Sequence, residues 1–115
     1  SEFTLLVGTP AYIARETAGA VPDAFELAQN FPNPFNPATS ISIRLPRAAD
    51  IRLEVYSLLG ERVATLAAGL YEPGVHTFVW DGTDERHQAV ASGVYLYRLL
   101  DGESLVQAKK MILMK

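Results

Sequence analysis

Two neighbouring runs, "TSISIRLP" (residues 39–46) and "DIRLEVYS" (residues 50–57), carry the deciding pattern. Ile41, Ile43 and Leu45 alternate with Ser40, Ser42 and Arg44. In the second run Ile51, Leu53 and Val55 alternate with Arg52, Glu54 and Tyr56. A period of two marks a strand with one face buried and the other in water. Pro46 ends the first run by removing a backbone donor.

The same pattern continues towards the C-terminus. "LLGERVATL" turns at Gly60 and runs on as a strand from Val63 to Leu66. A helix over "SLLGERVATLAAG" competes there, but Gly60 and the β-branched residues after it weigh against one. Glu72-Pro73-Gly74 is a turn. "VHTFVWDG" sets His76, Phe78 and Trp80 on one face, and "GVYLYRLLDG" does the same for Tyr95, Tyr97 and Leu99. "DGTDERHQAVASG" between them is a long polar turn, Asp101-Gly102 is a hairpin signal, and "ESLVQAKKMILMK" closes the chain as a last strand. Six or seven short strands with a turn about every ten residues predict an all-β antiparallel sandwich.

Composition narrows the function. The 115 residues fit about one domain. The net charge of -3 leaves no basic footprint, so binding to nucleic acid through phosphates is not expected. With no cysteine there is no disulfide, thiolate metal site or cysteine nucleophile. No run approaches the ~20 apolar residues of a membrane span, and no signal peptide is visible. Residues 1–26 read as linker and the tail of a preceding region, with "SEF" at 1–3 resembling a cloning scar. Within them, "FTLLVGTPAYIA" (3–14) reads as a strand pair or the end of another domain. Residues 27–115 read as the domain proper.

Candidate chemistry is sparse. His76 and His87 lie at no metal-ligand spacing. Asp81, Asp84 and Glu85 cluster in "DGTDE", but an EF-hand loop needs alternating ligands and a glutamate at its twelfth position, where Ser92 stands. A polar turn is the expected reading, with weak calcium binding at 81–85 as the alternative. No G-x-S-x-G elbow occurs, and nothing singles out a carboxylate pair for glycoside hydrolysis. Trp80, Tyr95 and Tyr97 offer a sugar platform, and hence a carbohydrate-binding module, if they are exposed. Core packing is the more economical use of such large aromatics. No cofactor is expected.

One stretch is unusual. "NFPNPFNPATS" (30–40) sets Pro32, Pro34 and Pro37 within six positions. Helix and central strand are both barred there, so the stretch is extended or turning. A lead-in stiffened by proline loses less freedom on ordering than a flexible one. Phe31 and Phe35 are spaced to pin it on the sandwich, and Asn33 and Asn36 can close turns with their side chains.

The ordered set "LAQNFPNPFNPATSISIRLP", "VYSLLGERVATL", "GVHTFVWDG", "VASGVYLYRL" and "KKMILMK" resembles the C-terminal sorting domain of the type IX secretion (Por) system. It also resembles the related immunoglobulin-like domain of the flagellar hook-capping protein. The likeness spans Leu27 to Lys115. It is carried by Asn33, Pro34, Phe35, Asn36 and Pro37, by Gly60, by Trp80, Asp81 and Gly82, by Gly93, Val94 and Tyr95, and by Lys110 and Lys115. The resemblance implies a seven-stranded immunoglobulin-like sandwich with no catalytic role. It implies export: transit through the periplasm, then the cell surface or the medium. It implies as partners an N-terminally attached cargo, the type IX translocon and a sortase-like peptidase. A structural hook-capping role is the alternative within the same likeness. The family often has glycine where His87 stands and proline where Ala89 stands, which makes the 81–92 turn the point of departure. Lys109, Lys110 and Lys115 are the charges most available to an export receptor. Strand addition along the last strand is one expected mode of engagement.

Overall fold

The computed structural model describes residues 22–115. The tail reading for the earlier residues, "SEF" and "FTLLVGTPAYIA" included, lies outside the described residues. Among the described residues seven strands form: β1 (Glu26–Leu27), β2 (Thr39–Leu45), β3 (Ala49–Ser57), β4 (Arg62–Tyr71), β5 (Gly74–Trp80), β6 (Gly93–Asp101) and β7 (Ser104–Leu113). They make two antiparallel sheets, a three-stranded one in the order β1-β2-β5 and a four-stranded one in the order β4-β3-β6-β7. This is the antiparallel sandwich that the alternation predicts, in the immunoglobulin-like form that the resemblance implies.

Each run buries the face assigned to it. Ile41, Ile43 and Leu45 meet Ile51, Leu53 and Val55 across the gap between the sheets, and all six are inaccessible to solvent. Trp80, Tyr97, Leu99, Met111 and Leu113 fill the rest. The helix reading of "SLLGERVATLAAG" is not realised. The Ser57 hydroxyl accepts from the N–H groups of Leu59 (3.2 Å) and Glu61 (3.3 Å), which closes a turn. The chain then pairs with β3 from Arg62 onwards, further than Val63 to Leu66 alone. At the β6–β7 hairpin Asp101 faces Ser104. Of the two loop residues only Gly102 has positive φ (62°), the pattern of a type II′ turn that suits the twist of the flanking strands.

The proline-rich lead-in lies along the edge of the sandwich. Its peptide bonds preceding Pro32, Pro34 and Pro37 are cis. Phe35 is buried, but Phe31 is 79% exposed, contrary to the paired-anchor expectation. The reason is register. Phe31 exchanges backbone hydrogen bonds with Ser40, both at 2.9 Å. Directly opposed residues share a face, and Ser40 is on the outer one.

Candidate functional site

Most of the motif residues converge at one end of the sandwich, around the end of β7. Phe35 packs on Trp80, with ring centroids 5.6 Å apart, and Trp80 meets Tyr95 edge-on at 5.3 Å. Trp80 Nε1 donates to Thr83 O (2.9 Å), which satisfies the indole inside the core. The Tyr95 hydroxyl donates back to Ala91 O (2.6 Å), a tyrosine-corner arrangement at the start of β6. Gly82 has φ +78°, and a Cβ there would sit 3.2 Å from Pro37 O and 3.6 Å from Leu113 Cδ2. That close approach explains the glycine of "WDG".

The lead-in itself clasps the last strand. Phe35 N donates to Ile112 O and Met114 N donates to Phe35 O, each at 2.9 Å, so Phe35 forms a parallel bridge with Leu113. Asn33 Oδ1 accepts from Ile112 N (3.0 Å), and Gln29 Nε2 donates to Lys110 O (2.9 Å). Asn33 therefore acts across strands instead of closing its own turn, and no hydrogen bond of the Asn36 side chain is seen among the described residues. Lys110 O, both backbone groups of Ile112 and Met114 N are already engaged. Strand addition along this part of β7 requires the clasp to open first.

Behind the clasp lies a buried polar anchor that the sequence reading missed. Asn30 N donates to the Tyr97 hydroxyl (2.8 Å), and that hydroxyl donates to Ala28 O (2.8 Å). Asn30 Nδ2 donates to Pro32 O (3.1 Å) and to Thr39 Oγ1 (3.0 Å). Burial pushes the Tyr97 phenol up to about 12, with the Asn30 N–H opposing in part. One signal was available: Thr39 lies two residues before Ile41, on the inward side of the same alternation.

Gly60 and the lysines stand apart from this cluster. Gly60, with Tyr56, Leu58, Leu96 and Arg98, lines a concavity of about 300 Å³ on the outer face of the larger sheet. Lys109 lies opposite Tyr97 and Lys110 opposite Leu96. Successive strand residues point to opposite faces, so the pair does not make one patch. Lys115 follows β7, where its N–H donates to Ser92 Oγ (3.1 Å). None of the ion pairs among the described residues involves these three lysines.

The acidic loop uses its carboxylates internally. Asp81 Oδ1 accepts from Thr83 N (3.1 Å), and Asp84 Oδ1 accepts from Arg86 N (2.9 Å) and Gln88 N (3.0 Å). The Gln88 N–H, above all, holds the Asp84 carboxyl below the ordinary aspartate value. Glu85 turns away to Arg62 (3.3 Å). Among the described residues no group of three His, Asp or Glu could hold a metal ion. His87 takes the left-handed conformation at φ 64°, one that glycine adopts more readily. The sugar-platform reading fails on geometry, because Trp80, Tyr95 and Tyr97 are all buried.

A second missed feature is Glu54. Alternation puts it on the wet face, yet it is only 1% exposed. Arg98 Nε donates to its Oε1 (3.2 Å), Arg52 approaches Oε2 at 3.2 Å and Arg62 at 3.8 Å. The Tyr56 hydroxyl donates to Oε1 (3.0 Å), and Arg98 lies over the Tyr56 ring at 4.6 Å. Arginine stems roof over the carboxylate while their heads stay partly wet.

The family model for the FlgD Ig-like domain matches residues 29–100. Among solved structures, dimeric latent PorU from Porphyromonas gingivalis is similar at 26% identity and a TM-score of 0.67, over 84% of this chain and 10% of that one. PorZ from the same organism, described as a surface component of the type IX secretion system, is similar in fold at 18% identity and a TM-score of 0.52, over 81% of this chain and 12% of that one. FlgD from P. aeruginosa is matched at 23% identity and a TM-score of 0.49, over 65% of this chain and 57% of that one. The chain thus spans about a tenth of the length of the two Por proteins. No curated protein matches it in sequence. No helix among the described residues is long and apolar enough to cross a membrane. By its sandwich, its motif cluster and the match over residues 29–100, the chain belongs to the FlgD Ig-like domain family.

Proposed function

We propose that this domain is a non-catalytic sorting module that directs an attached cargo through type IX secretion to the cell surface. The observation that carries the reading is the convergence of "NPF", "WDG" and "GVY" on the end of β7. Residues far apart in the chain cooperate to hold one terminal strand in a fixed position, with Lys110 and Lys115 exposed beside it. A presented strand with nearby positive charge is what a receptor could read by shape and charge. The similarity to PorU over 84% of the chain supports the same reading. In this reading the domain performs no chemistry and needs no cofactor. Its partners are the cargo, the translocon and a sortase-like peptidase.

The experiment is export of a fluorescent reporter fused ahead of the chain in a bacterium with a type IX system. Surface or medium fluorescence is expected for the intact fusion. A double Lys110→Glu, Lys115→Glu variant should stay in the periplasm while remaining folded. Equal export of the reporter without the chain would defeat the proposal. The family match favours a second reading, a structural domain of the hook-capping type. Retention of the intact, folded fusion in the periplasm would favour it.

A further inference from the structure

The two seams of the sandwich are finished differently. At one, β1 and β7 are stitched together: Leu27 N donates to Gln107 Oε1 (3.4 Å), and Gln29, Asn33 and Phe35 bond Lys110 O, both backbone groups of Ile112 and Met114 N. At the other seam the edges are β4 and β5. The first of these is irregular, with two register shifts against β3, and begins with the ion-paired Arg62. Bulges and charge are standard guards against strand pairing. By contrast, β5 pairs with β2 over seven residues in unbroken register. It contains no Lys, Arg, Asp, Glu or Pro.

The direction of its backbone groups follows from its neighbours. Ser40 bonds Phe31 through both N and O, and Ser42 O accepts from Ala28 N, so these groups point away from β5. In an antiparallel ladder the partners of such residues also point outward. Those partners are Val79, Thr77 and, by the same alternation, Val75 opposite Arg44. Among the described residues no hydrogen bond outside the β2 ladder reaches their N–H or C=O groups. Their side chains also line the open face, with Val75 54% and Val79 63% exposed. Phe31, Ser40 and Val79 form one row across that face.

We propose that β5 is an association edge whose partner is β5 of a second copy of this chain. The strand complements itself. Set antiparallel with Thr77 opposite Thr77 of the other copy, Val75 faces Val79 in both directions. The three outward residues on each side then exchange six hydrogen bonds. Threonine and valine pairs are favourable cross-strand neighbours, and the row from Phe31 to Val79 continues onto Val75 of the second copy. A strand without formal charge meets no repulsion from itself and gives a charged partner nothing to pair with. The join makes one six-stranded sheet from two three-stranded ones. A seven-residue contact is ~24 Å long and buries well under the ~1,200 Å² of a stable complex. The dimer is therefore weak, with a dissociation constant on the order of 10⁻⁴ to 10⁻³ M, and forms where copies are crowded.

Sedimentation velocity of the full 115-residue chain from about 10 µM to about 1 mM tests this. The weight-average mass should rise towards twice 12.6 kDa. Amide exchange at Val75, Thr77 and Val79 should slow about two- to fourfold over the same range while the β3 and β6 amides hold constant. Thr77→Pro removes an outward donor and spares the ladder to β2, so it should abolish both effects. Val79→Lys, at an exposed position, should weaken association at least about tenfold and decides the matter if the proline variant does not fold. A chain that stays monomeric at about 1 mM, or whose association survives the substitutions, overturns the proposal.

Discussion

Replacing Phe35 by alanine tests the clasp directly. The ring is 2% exposed and packs on Trp80, so its loss opens a cavity at the end of the core. Phe→Ala in a packed core costs about 3–5 kcal/mol. For a domain of this size each kcal/mol is worth roughly 4–8 °C in melting temperature. A fall of at least about 12 °C is therefore expected. The variant should still fold at low temperature, because single domains hold about 5–15 kcal/mol in total. Calorimetry gives the shift. A second readout separates the clasp from general weakening: the amides of Ile112 and Met114 bond to Asn33 Oδ1 and Phe35 O. In hydrogen exchange these two should lose protection before the Ile51–Val55 core does. A shift below about 4 °C, equivalent to less than ~1 kcal/mol, would refute the reasoning. So would unchanged protection at residues 112 and 114.

Three further outcomes are expected. Glu54→Gln keeps the shape but leaves Arg52, Arg62 and Arg98 without their shared carboxylate. Urea unfolding should show a loss of about 1–3 kcal/mol, less than a fully buried pair would give because the arginine heads are partly hydrated. His87→Gly relieves the positive φ and should raise stability by about 0.5–1 kcal/mol by the same assay. Tyr97 has a raised pKa in the folded state, so its contribution is complete below the ordinary phenol value and is lost as pH rises. Stability should fall between about pH 10 and the folded value of about 12, with delayed phenolate absorbance at 295 nm as the check.

The clasp and the Glu54 roof show where reading the sequence stops. Alternation identified Ile41, Ile43, Leu45, Ile51, Leu53 and Val55 as core, because the period of a strand is a local property. The turns at Glu72-Pro73-Gly74 and Asp101-Gly102 were legible for the same reason. Proline spacing marked residues 32–37 as stiff and extended. It did not indicate that they lie beside residues far along the chain, as the Asn33–Ile112 bond shows (79 residues apart).

What the sequence determined by itself is therefore the class of fold, the inward faces of β2, β3, β5 and β6 and the positions of the turns. These depend on chain chemistry over two to four residues. Only the tertiary structure decided that Phe35 is buried and Phe31 is not, since both are aromatic and one bridge to Ser40 turns Phe31 outward. It decided that Glu54 is covered, because Arg98 reaches it from the neighbouring strand and Arg62 from beyond a register shift. It also decided which edge is closed. A strand's sequence says whether it can pair, but its position in the sheet says whether a partner is already there. Here β7 has its clasp, and β5 keeps three outward residues without a neighbour among the described residues.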